Sequence, residues 1–425
     1  RAQTEAIARQ GQRMLALAMK RLPKGQQDLT VSDIASGATF IALVGFIDPP
    51  REEVLPAIRE CRTAGISVKM ITGDHAATAT AIARELALAP EPRTLTGIEL
   101  DDIDDADLPD VVRTTTVFAR TTPSHKLRLV KALQEEQAVT AMTGDGVNDA
   151  PALKRADVGV AMGRKGTDAA KEAAEIVLAD DNFASIVAAV REGRTVYDNL
   201  RKVIAWTLPT NGGEGAALIG AIAFNLTLPM TAIQILWINM VTVVALGLTL
   251  AFEPTEPGTM TRPPRKATDS LLSGTLLWRT LFVSFLFVLG AFGIFFYAME
   301  RGLSVDMART MVVNTIVVME IAYLFSVRFI HGASLTWRGL LGTPAVLAGV
   351  AVTVLAQLAF TYLPVLQKVF ATEPVAPLDW LLIVGIGVAL LVLVELEKVI
   401  FAFFAERGGA NHSGREPVAH DGWRA

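Results

Sequence analysis

Carboxylate and amide side chains cluster in the segment 143–149, whose sequence TGDGVND follows an apolar run. The glycines of this segment allow a sharp backbone turn and let a carboxylate approach a ligand closely. In phosphate-binding sites, Mg²⁺ takes one or two carboxylates together with phosphate oxygens and water. We therefore predict that Asp145 binds Mg²⁺ and that Asn148 and Asp149, one short turn later, face the same space.

Two further polar segments each follow a short apolar run. They are Thr72-Gly73-Asp74 and the segment 120–126. Thr72 offers a hydroxyl to phosphate oxygens, and Lys126 offers a cation to a phosphoryl group in transfer, where charge stabilisation matters most. A capping hydroxyl and a solvated lysine are the alternative interpretations. The occurrence of both groups at successive strand ends favours a phosphoryl-transfer site.

Apolar strands alternate with helices in the half of the chain that carries these segments. Parallel strands bring their carboxyl-terminal ends to one edge of a sheet, so the three segments are expected to converge there. The pattern predicts an α/β doubly wound, Rossmannoid domain. Its strands are predicted at 41–47, 67–71, 117–119, 138–142, 158–162 and 176–179, and its helices at 52–64, 76–87 and from 122.

The other polar features of this half are predicted to take no part in chemistry. His75 and His125 are isolated beside the predicted site, where loop positioning or a chance occurrence is favoured over metal ligation. The acidic run 99–110 is typical of a solvated helix surface. Cys61 is the only cysteine, which excludes an internal disulfide and a multi-cysteine metal site.

From about residue 203 onwards, long apolar runs dominate the chain. A transmembrane helix needs about 20 mostly apolar residues. Lysine and arginine residues after the second, fourth and sixth candidates place the soluble half and the C-terminal tail in the cytoplasm. We predict an all-α six-helix transmembrane bundle in an integral protein of the plasma membrane. The candidate spans are 201–224, 230–251, 276–298, 308–330, 343–365 and 378–403.

Polar residues interrupt three of these spans. In the first span, Pro209 and three glycines surround Glu214, and such residues free backbone carbonyls in mid-helix. A carboxylate at membrane depth is costly and is a functional candidate by default. Oxygen ligands suit hard cations rather than copper or zinc, whereas interhelical hydrogen bonding is the alternative for the amide and hydroxyl groups. The predicted cation ligands are Asn211, Glu214, Asn239, Thr242 and Glu320.

These motifs resemble those of the P-type ATPases, ion pumps that pass through an aspartyl-phosphate. The segment 141–154, AMTGDGVNDAPALK, resembles the family's hinge motif, and its core is shared with haloacid dehalogenase-like phosphatases. The resemblance implies bound ATP and Mg²⁺, with phosphate contacts from segment 72–74 and from Lys126. It also implies that Asp74, Asn148 and Asp149 shape the pocket.

The resemblance further implies contacts to ATP from Arg13, Asp48 and Arg120. For Arg13, a surface arginine at the start of a strand is the alternative interpretation. Asp48 begins the string DPPR, which resembles the hinge between the nucleotide-binding and phosphorylation domains. The implied domains are a nucleotide-binding remnant (1–38), a haloacid dehalogenase-like phosphorylation domain (39–200), a transmembrane domain (201–405) and a disordered cytoplasmic tail (406–425).

Two departures from the family pattern bear on function. The chain contains no Asp-Lys-Thr-Gly-Thr string, so the nucleophile and the first four membrane helices are expected upstream of Arg1. The polar spans resemble the fifth, sixth and eighth helices of the calcium- and sodium-pump branch. Val243 stands where calcium pumps have an aspartate shared between two ions. This difference favours one Ca²⁺, or Na⁺ or another monovalent ion, over a two-calcium site.

Three functions are compatible with these features. The favoured one is ATP-driven cation transport, with the lipid bilayer and the upstream part of the pump as partners. The second is a membrane-anchored phosphatase, which has no use for Glu214 or Glu320. The third is a pump fragment without turnover of its own. A net charge of −4 gives no sign of nucleic-acid binding.

Overall fold

The computed structural model describes residues 11–22, 28–46, 49–265, 270–328 and 342–410. The chain divides into two compact units. The first comprises residues 1–192 with 257–269, and the second comprises residues 193–256 with 270–425.

The first unit contains a two-stranded antiparallel sheet formed by β1 (Arg13–Met19) and β2 (Thr39–Phe46). Strand β2 was expected to belong to the parallel sheet, and this expectation was wrong. Its apolar run suits either arrangement, but neither face of β2 is deeply buried, and Phe40 is 60% exposed. The pairing also joins strands from both sides of the predicted domain boundary at residues 38 and 39.

Six short strands form two parallel sheets in the same unit. Their orders are β3-β5-β4, from β3 (Met70–Thr72), β4 (Thr94–Thr96) and β5 (Val117–Ala119), and β6-β7-β8, from β6 (Ala141–Gly144), β7 (Val158–Met162) and β8 (Ile176–Leu178). The predicted alternation of parallel strands with helices is confirmed. The hydrogen-bonded ladders form two sheets rather than one in the described ranges. Strand β4 was missed because threonine occupies two of its three positions.

Helices pack between and beside these strands. They are α1 (Val31–Ile34), α2 (Val54–Thr63), α3 (Ala76–Glu85), α4 (Gly97–Asp101), α5 (Leu108–Thr114), α6 (Pro123–Glu135), α7 (Ala150–Arg155) and α8 (Asp168–Ala173). Helix α6 begins as predicted, with Thr122 as its N-cap and Pro123 in its first turn. Its residue Leu129 packs with Leu100 and Phe118 in one of the buried apolar clusters.

The second unit is helical. Helix α9 (Phe183–Ala223) contains the boundary between the units, and the later helices are α10 (Ala232–Ala245), α11 (Gly274–Glu300), α12 (Val305–Val327), α13 (Pro344–Tyr362), α14 (Pro364–Phe370) and α15 (Pro377–Ala410). The core of this unit includes Trp206, Phe287 and Tyr323. Helix α15 continues past the predicted end of the membrane domain at 405, and residues 411–425 of the predicted tail lie outside the described residues.

Five helical segments in the described residues are long and apolar enough to cross a membrane. They are 232–252, 274–300, 305–327, 344–362 and 377–401. Their matching predicted spans were placed within a few residues of these bounds. The remaining predicted span, 201–224, forms the second half of α9. That segment is less apolar because Pro209, Asn211, Glu214 and several glycines interrupt it.

Candidate functional site

Two of the three predicted loops meet through hydrogen bonds in the first unit. Thr121 donates from both its backbone N–H and its hydroxyl to the carbonyl of Thr72, each at 3.2 Å. The backbone N–H of Arg120 donates to the carbonyl of Asp74 at 3.2 Å. Arg120 has a left-handed φ of 52°, and its side chain is exposed. The loops that follow β3 and β5 are therefore hydrogen-bonded side by side at one edge of the sheet.

The segment 72–74 closes on itself through its side chains. The hydroxyl of Thr72 donates to Oδ2 of Asp74 and accepts from the backbone N–H of Asp74, both at 3.1 Å. Gly73 is exposed, and a Cβ added there would meet no atom within 4 Å. Packing therefore leaves open space above the backbone of Gly73.

The third loop is joined to α6 by an ion pair. Lys126 Nζ lies 2.5 Å from Oδ1 of Asp149, a residue that is only 5% exposed. The other oxygen, Oδ2, accepts from the backbone N–H groups of Asp145 and Gly146 at 3.2 Å each. Gly144 is required at its position, because a Cβ there would lie 2.5 Å from the Cβ of Asp149. Asp149 thus fixes both the loop and the lysine.

Asp145 and Asn148 present exposed side chains from the same loop. The carbonyl of Asp145 accepts from the backbone N–H of Thr167 at 2.8 Å, which fixes its backbone. Because Asp149 is buried and already bonded to Lys126 and two backbone N–H groups, the exposed Asp145 is the carboxylate of this loop that is accessible to a metal ion. The described residues contain no group of three or more His, Cys, Asp or Glu side chains able to hold a metal.

Two of the residues expected to contact ATP lie wholly or partly outside the described residues. Asp48 lies outside the described residues, and so does the side chain of Arg13, whose backbone belongs to β1.

His125, which was expected to be isolated, has a defined partner. This residue is buried at 7% exposure, and its Nε2 lies 2.7 Å from Oδ1 of Asp101. The acidic run 99–110 is therefore not only a solvated surface, since it also buries Leu100 and Leu108. The spacing Thr122-x-x-His125 carried a signal, because a polar side chain three residues after the N-cap can complete a capping box.

The second unit brings together buried polar side chains from α9, α10 and α12. Glu214 is 3% exposed, Glu320 is 1% exposed and Thr242 is 1% exposed. Asn239 donates its side-chain N–H to Oε2 of Glu214 at 3.0 Å and to the carbonyl of Ile235 at 3.1 Å. The carboxyl groups of Glu214 and Glu320 are close enough for their charges to interact.

Two oxygens of this cluster lack hydrogen-bond partners within the part of the chain that the structure describes. They are Oε1 of Glu214 and Oε2 of Glu320, and both are inaccessible to solvent. A buried carboxylate oxygen without a donor is costly unless a cation or a proton satisfies it. The donor set therefore fits a hard cation.

One predicted ligand stands apart from this cluster. The side chain of Asn211 is exposed, although Asn211 and Glu214 were expected to share one face of their helix. Val243, which stands where calcium pumps have an aspartate, is also 39% exposed. The structure therefore brings four of the five predicted cation ligands to the buried region: Glu214, Asn239, Thr242 and Glu320.

Hydrogen bonds from α12 brace the helix that carries Glu214. Pro209 has no N–H, so the carbonyl of Ala205, four residues earlier, loses its helical donor. The hydroxyl of Tyr323 donates to that carbonyl at 2.9 Å. In return, Trp206 of α9 donates its indole N–H to the carbonyl of Glu320 at 3.1 Å. The position of Pro209 could have predicted the free carbonyl, but not its partner.

Known protein families match both halves of the chain. The family model for the C-terminus of cation transporting ATPases matches residues 227–400, and models for haloacid dehalogenase-like hydrolases match residues 4–157 and 126–190. The chain is 47% identical over 403 residues to the probable cation-transporting ATPase F of Mycobacterium tuberculosis, a match that covers 93% of this chain and 44% of that protein.

The chain belongs to the P-type cation-transporting ATPases. It is 39% identical over 393 residues to the calcium-transporting ATPase of Bacillus subtilis, across 91% of this chain and 44% of that protein. It is 39% identical over 383 residues to calcium-transporting ATPase type 2C member 2 of Homo sapiens, across 88% of this chain and 40% of that protein. This P-type ATPase chain spans less than half the length of these relatives, and its apolar helices make it an integral membrane protein.

Proposed function

We propose that the protein containing this chain uses ATP to carry Ca²⁺ across a membrane through an aspartyl-phosphate intermediate. The observation that carries the proposal is the pair of buried carboxylates Glu214 and Glu320, each with one unpartnered oxygen. Two carboxylates balance the charge of one divalent cation, and oxygen ligands suit Ca²⁺. Two of the relatives are calcium-transporting ATPases by name, which supports the same ion.

The phosphoryl-transfer half of the proposal rests on the loops of the first unit. Asp145 would hold Mg²⁺, which would neutralise negative charge on phosphate oxygens. Lys126, held by Asp149, would place its ammonium group against the transferring phosphoryl group. The hydroxyl of Thr72 and the backbone above Gly73 would contact phosphate oxygens. The nucleophilic aspartate would come from a part of the protein outside this chain.

The remaining assignments complete this proposal. Arg13, Asp48 and Arg120 would contact ATP, and Asp74 and Asn148 would shape the phosphate pocket. The division into domains at 1–38, 39–200, 201–405 and 406–425 belongs to the proposal, as do a plasma-membrane location and a cytoplasmic soluble half. Lysine and arginine residues after alternate spans support this orientation.

A membrane-anchored phosphatase is the main competing function. It would use the loops of the first unit, but it would not need acidic side chains buried between apolar helices. Because such groups are costly at membrane depth, their presence favours a transported cation over simple anchoring.

Phosphorylation of the full-length pump in membrane vesicles tests the proposal. We expect Glu214→Gln to abolish Ca²⁺-stimulated labelling from radioactive ATP, because the main cation ligand is lost. Labelling from inorganic phosphate in the absence of Ca²⁺ should persist, since the phosphoryl site is untouched. Glu300→Gln is the matched control, because Glu300 is exposed at the end of α11.

The outcomes separate the competing functions. Wild-type Ca²⁺ dependence in Glu214→Gln would remove this residue from the cation site. If Na⁺ rather than Ca²⁺ stimulates labelling of the unmodified protein, the transported ion is Na⁺ and not the proposed Ca²⁺. Phosphatase turnover that needs neither ATP nor a cation would favour the anchored phosphatase.

A further inference from the structure

Helix α4 packs against the first turn of α6. Gly97 and Asp101 lie one helical turn apart on α4, and both face His125. Nε2 of His125 is 2.7 Å from Oδ1 of Asp101. A Cβ at Gly97 would lie 2.5 Å from the carbonyl oxygen of Arg120 and 2.9 Å from Cε1 of His125. Only glycine therefore allows this close approach of the two segments.

His125 links α4 to the N-cap of α6. Its Nδ1 accepts from the backbone N–H of Thr122 at 3.2 Å, so Nε2 is the protonated nitrogen and donates to Asp101. The hydroxyl of Thr122 accepts from the backbone N–H of His125 at 3.4 Å. Histidine thus takes the place of the glutamate or glutamine of an ordinary capping box.

A second contact joins the same two segments one turn further along α6. Arg128 donates from Nη1 to the carbonyl of Leu100 at 2.6 Å. It also bonds the carboxylate of Asp105 and the carbonyl of Ile103. Two contacts, at His125 and at Arg128, fix the rotation of α6 about its own axis.

That rotation sets the position of Lys126. In an α-helix, Lys126 is displaced by about 100° around the axis from His125, so fixing one side chain fixes the direction of the other. Nζ of Lys126 lies 2.5 Å from Asp149 in the loop that carries Asp145. A misplacement of about 1 Å in a catalytic group can cost roughly 100-fold in rate.

We propose that residues 97–105 are a positioning segment for phosphoryl transfer, in which Asp101 holds His125 and thereby directs Lys126 towards the phosphoryl group. This inference rests on the proposed function of Lys126. The carboxylate of Asp101 is 67% exposed, and exposed pairs contribute little to stability. The bond therefore acts on geometry rather than on folding.

The first test compares single substitutions in the full-length pump. We expect Asp101→Ala to slow phosphoenzyme formation about tenfold, because the acceptor of the His125 proton is lost. The midpoint temperature of thermal unfolding should be unchanged. Asp101→Asn keeps an acceptor oxygen and should restore most of the rate. Asp107→Ala removes the same charge from an exposed position outside the positioning segment and should leave the rate unchanged.

A double-mutant cycle with Lys126→Ala tests whether Asp101 acts through Lys126. We expect Asp101→Ala to have no further effect on the phosphorylation rate once Lys126 is absent. The affinity for orthovanadate, a phosphate analogue, gives an equilibrium readout of the same cycle for variants with very slow phosphorylation. The double variant should bind orthovanadate with the same affinity as Lys126→Ala alone.

The outcomes distinguish this inference from the proposed function. Normal phosphorylation in Lys126→Ala would overturn the assigned function of Lys126. A severe defect in Lys126→Ala together with a normal rate in Asp101→Ala would overturn the positioning segment alone. Additive effects in the cycle, or a loss of thermal stability in Asp101→Ala that accounts for its slower rate, would also overturn it.

Discussion

The carboxylates of the segment 145–149 have different surroundings, and we therefore propose different roles for them. Asp149 is buried, and Lys126 and two backbone N–H groups occupy its oxygens. Asp145 is exposed on a backbone held by Thr167. Mg²⁺ retains several of its waters and binds through few carboxylates, which an exposed side chain on a fixed backbone permits. Burial thus distinguishes Asp149, which holds Lys126, from Asp145, which we propose as the Mg²⁺ ligand.

This difference leads to a prediction for Asp145→Ala in the full-length pump. We expect phosphoenzyme formation from ATP to fall by more than about 100-fold, because the Mg²⁺ carboxylate is lost. Labelling with radioactive γ-phosphate over a range of Mg²⁺ concentrations measures the effect. Asp168→Ala, which removes an exposed carboxylate from the first turn of α8, is the control. Normal labelling of Asp145→Ala would exclude Asp145 from the metal site.

The sequence singled out residues that the structure brings into contact, but it did not predict which of them pair. Lys126 and Asp149 were both singled out, but their ion pair joins positions 23 residues apart, which only tertiary packing brings together. Asn211 was expected beside Glu214, yet its side chain is exposed. His125 was set aside as isolated, because its partner Asp101 belongs to a run whose composition is typical of a surface.

At the scale of elements, local patterns predicted strands and helices well and their pairing poorly. The strands Val117–Ala119 and Val158–Met162 were predicted to the residue, because apolar runs between helices leave few alternatives. Strand β2 was paired wrongly, since its apolar run does not encode the direction of its neighbour. Strand β4 is held by pairing with β5 rather than by its own apolar character.

The contact between α9 and α12 shows how one element compensates a defect in another. Pro209 frees the carbonyl of Ala205, and Tyr323 supplies the missing donor beside the buried carboxylates. A helix interrupted in this way is retained only where neighbouring side chains satisfy its backbone.

We expect Tyr323→Phe to destabilise the purified protein by about 1–2 kcal/mol, because a buried carbonyl loses its donor. In the background Pro209→Ala, which restores an N–H four residues after Ala205, the same substitution should have a much smaller effect. Thermal unfolding in detergent measures both. Tyr297→Phe is the control, since Tyr297 is 40% exposed. An equal loss in both backgrounds would show that Tyr323 stabilises through packing alone.

At the scale of the whole molecule, the two proposed chemistries lie in different parts of the chain. The loops that we propose for phosphoryl transfer belong to residues 72–149, within the first unit, whereas the buried carboxylates belong to the second. In a pump, cation binding and phosphorylation must each change the free energy of the other, and this coupling is reciprocal. Ion dependence of phosphorylation is therefore the property that separates a pump from two independent sites.

The charge of the cation cluster leads to a prediction of stoichiometry. With two buried carboxylates and a valine at position 243, we expect one Ca²⁺ to be transported for each phosphorylation cycle. Radioactive Ca²⁺ uptake and ATP hydrolysis, measured together in sealed vesicles, give this ratio. Val243→Asp should raise the Ca²⁺ affinity or the ratio, because position 243 lies one helical turn after Asn239. Val244→Asp is the control, since Val244 points elsewhere and is 65% exposed. A ratio of two in the unmodified pump, or uptake driven by Na⁺ in Ca²⁺-free buffer, would contradict the single divalent site.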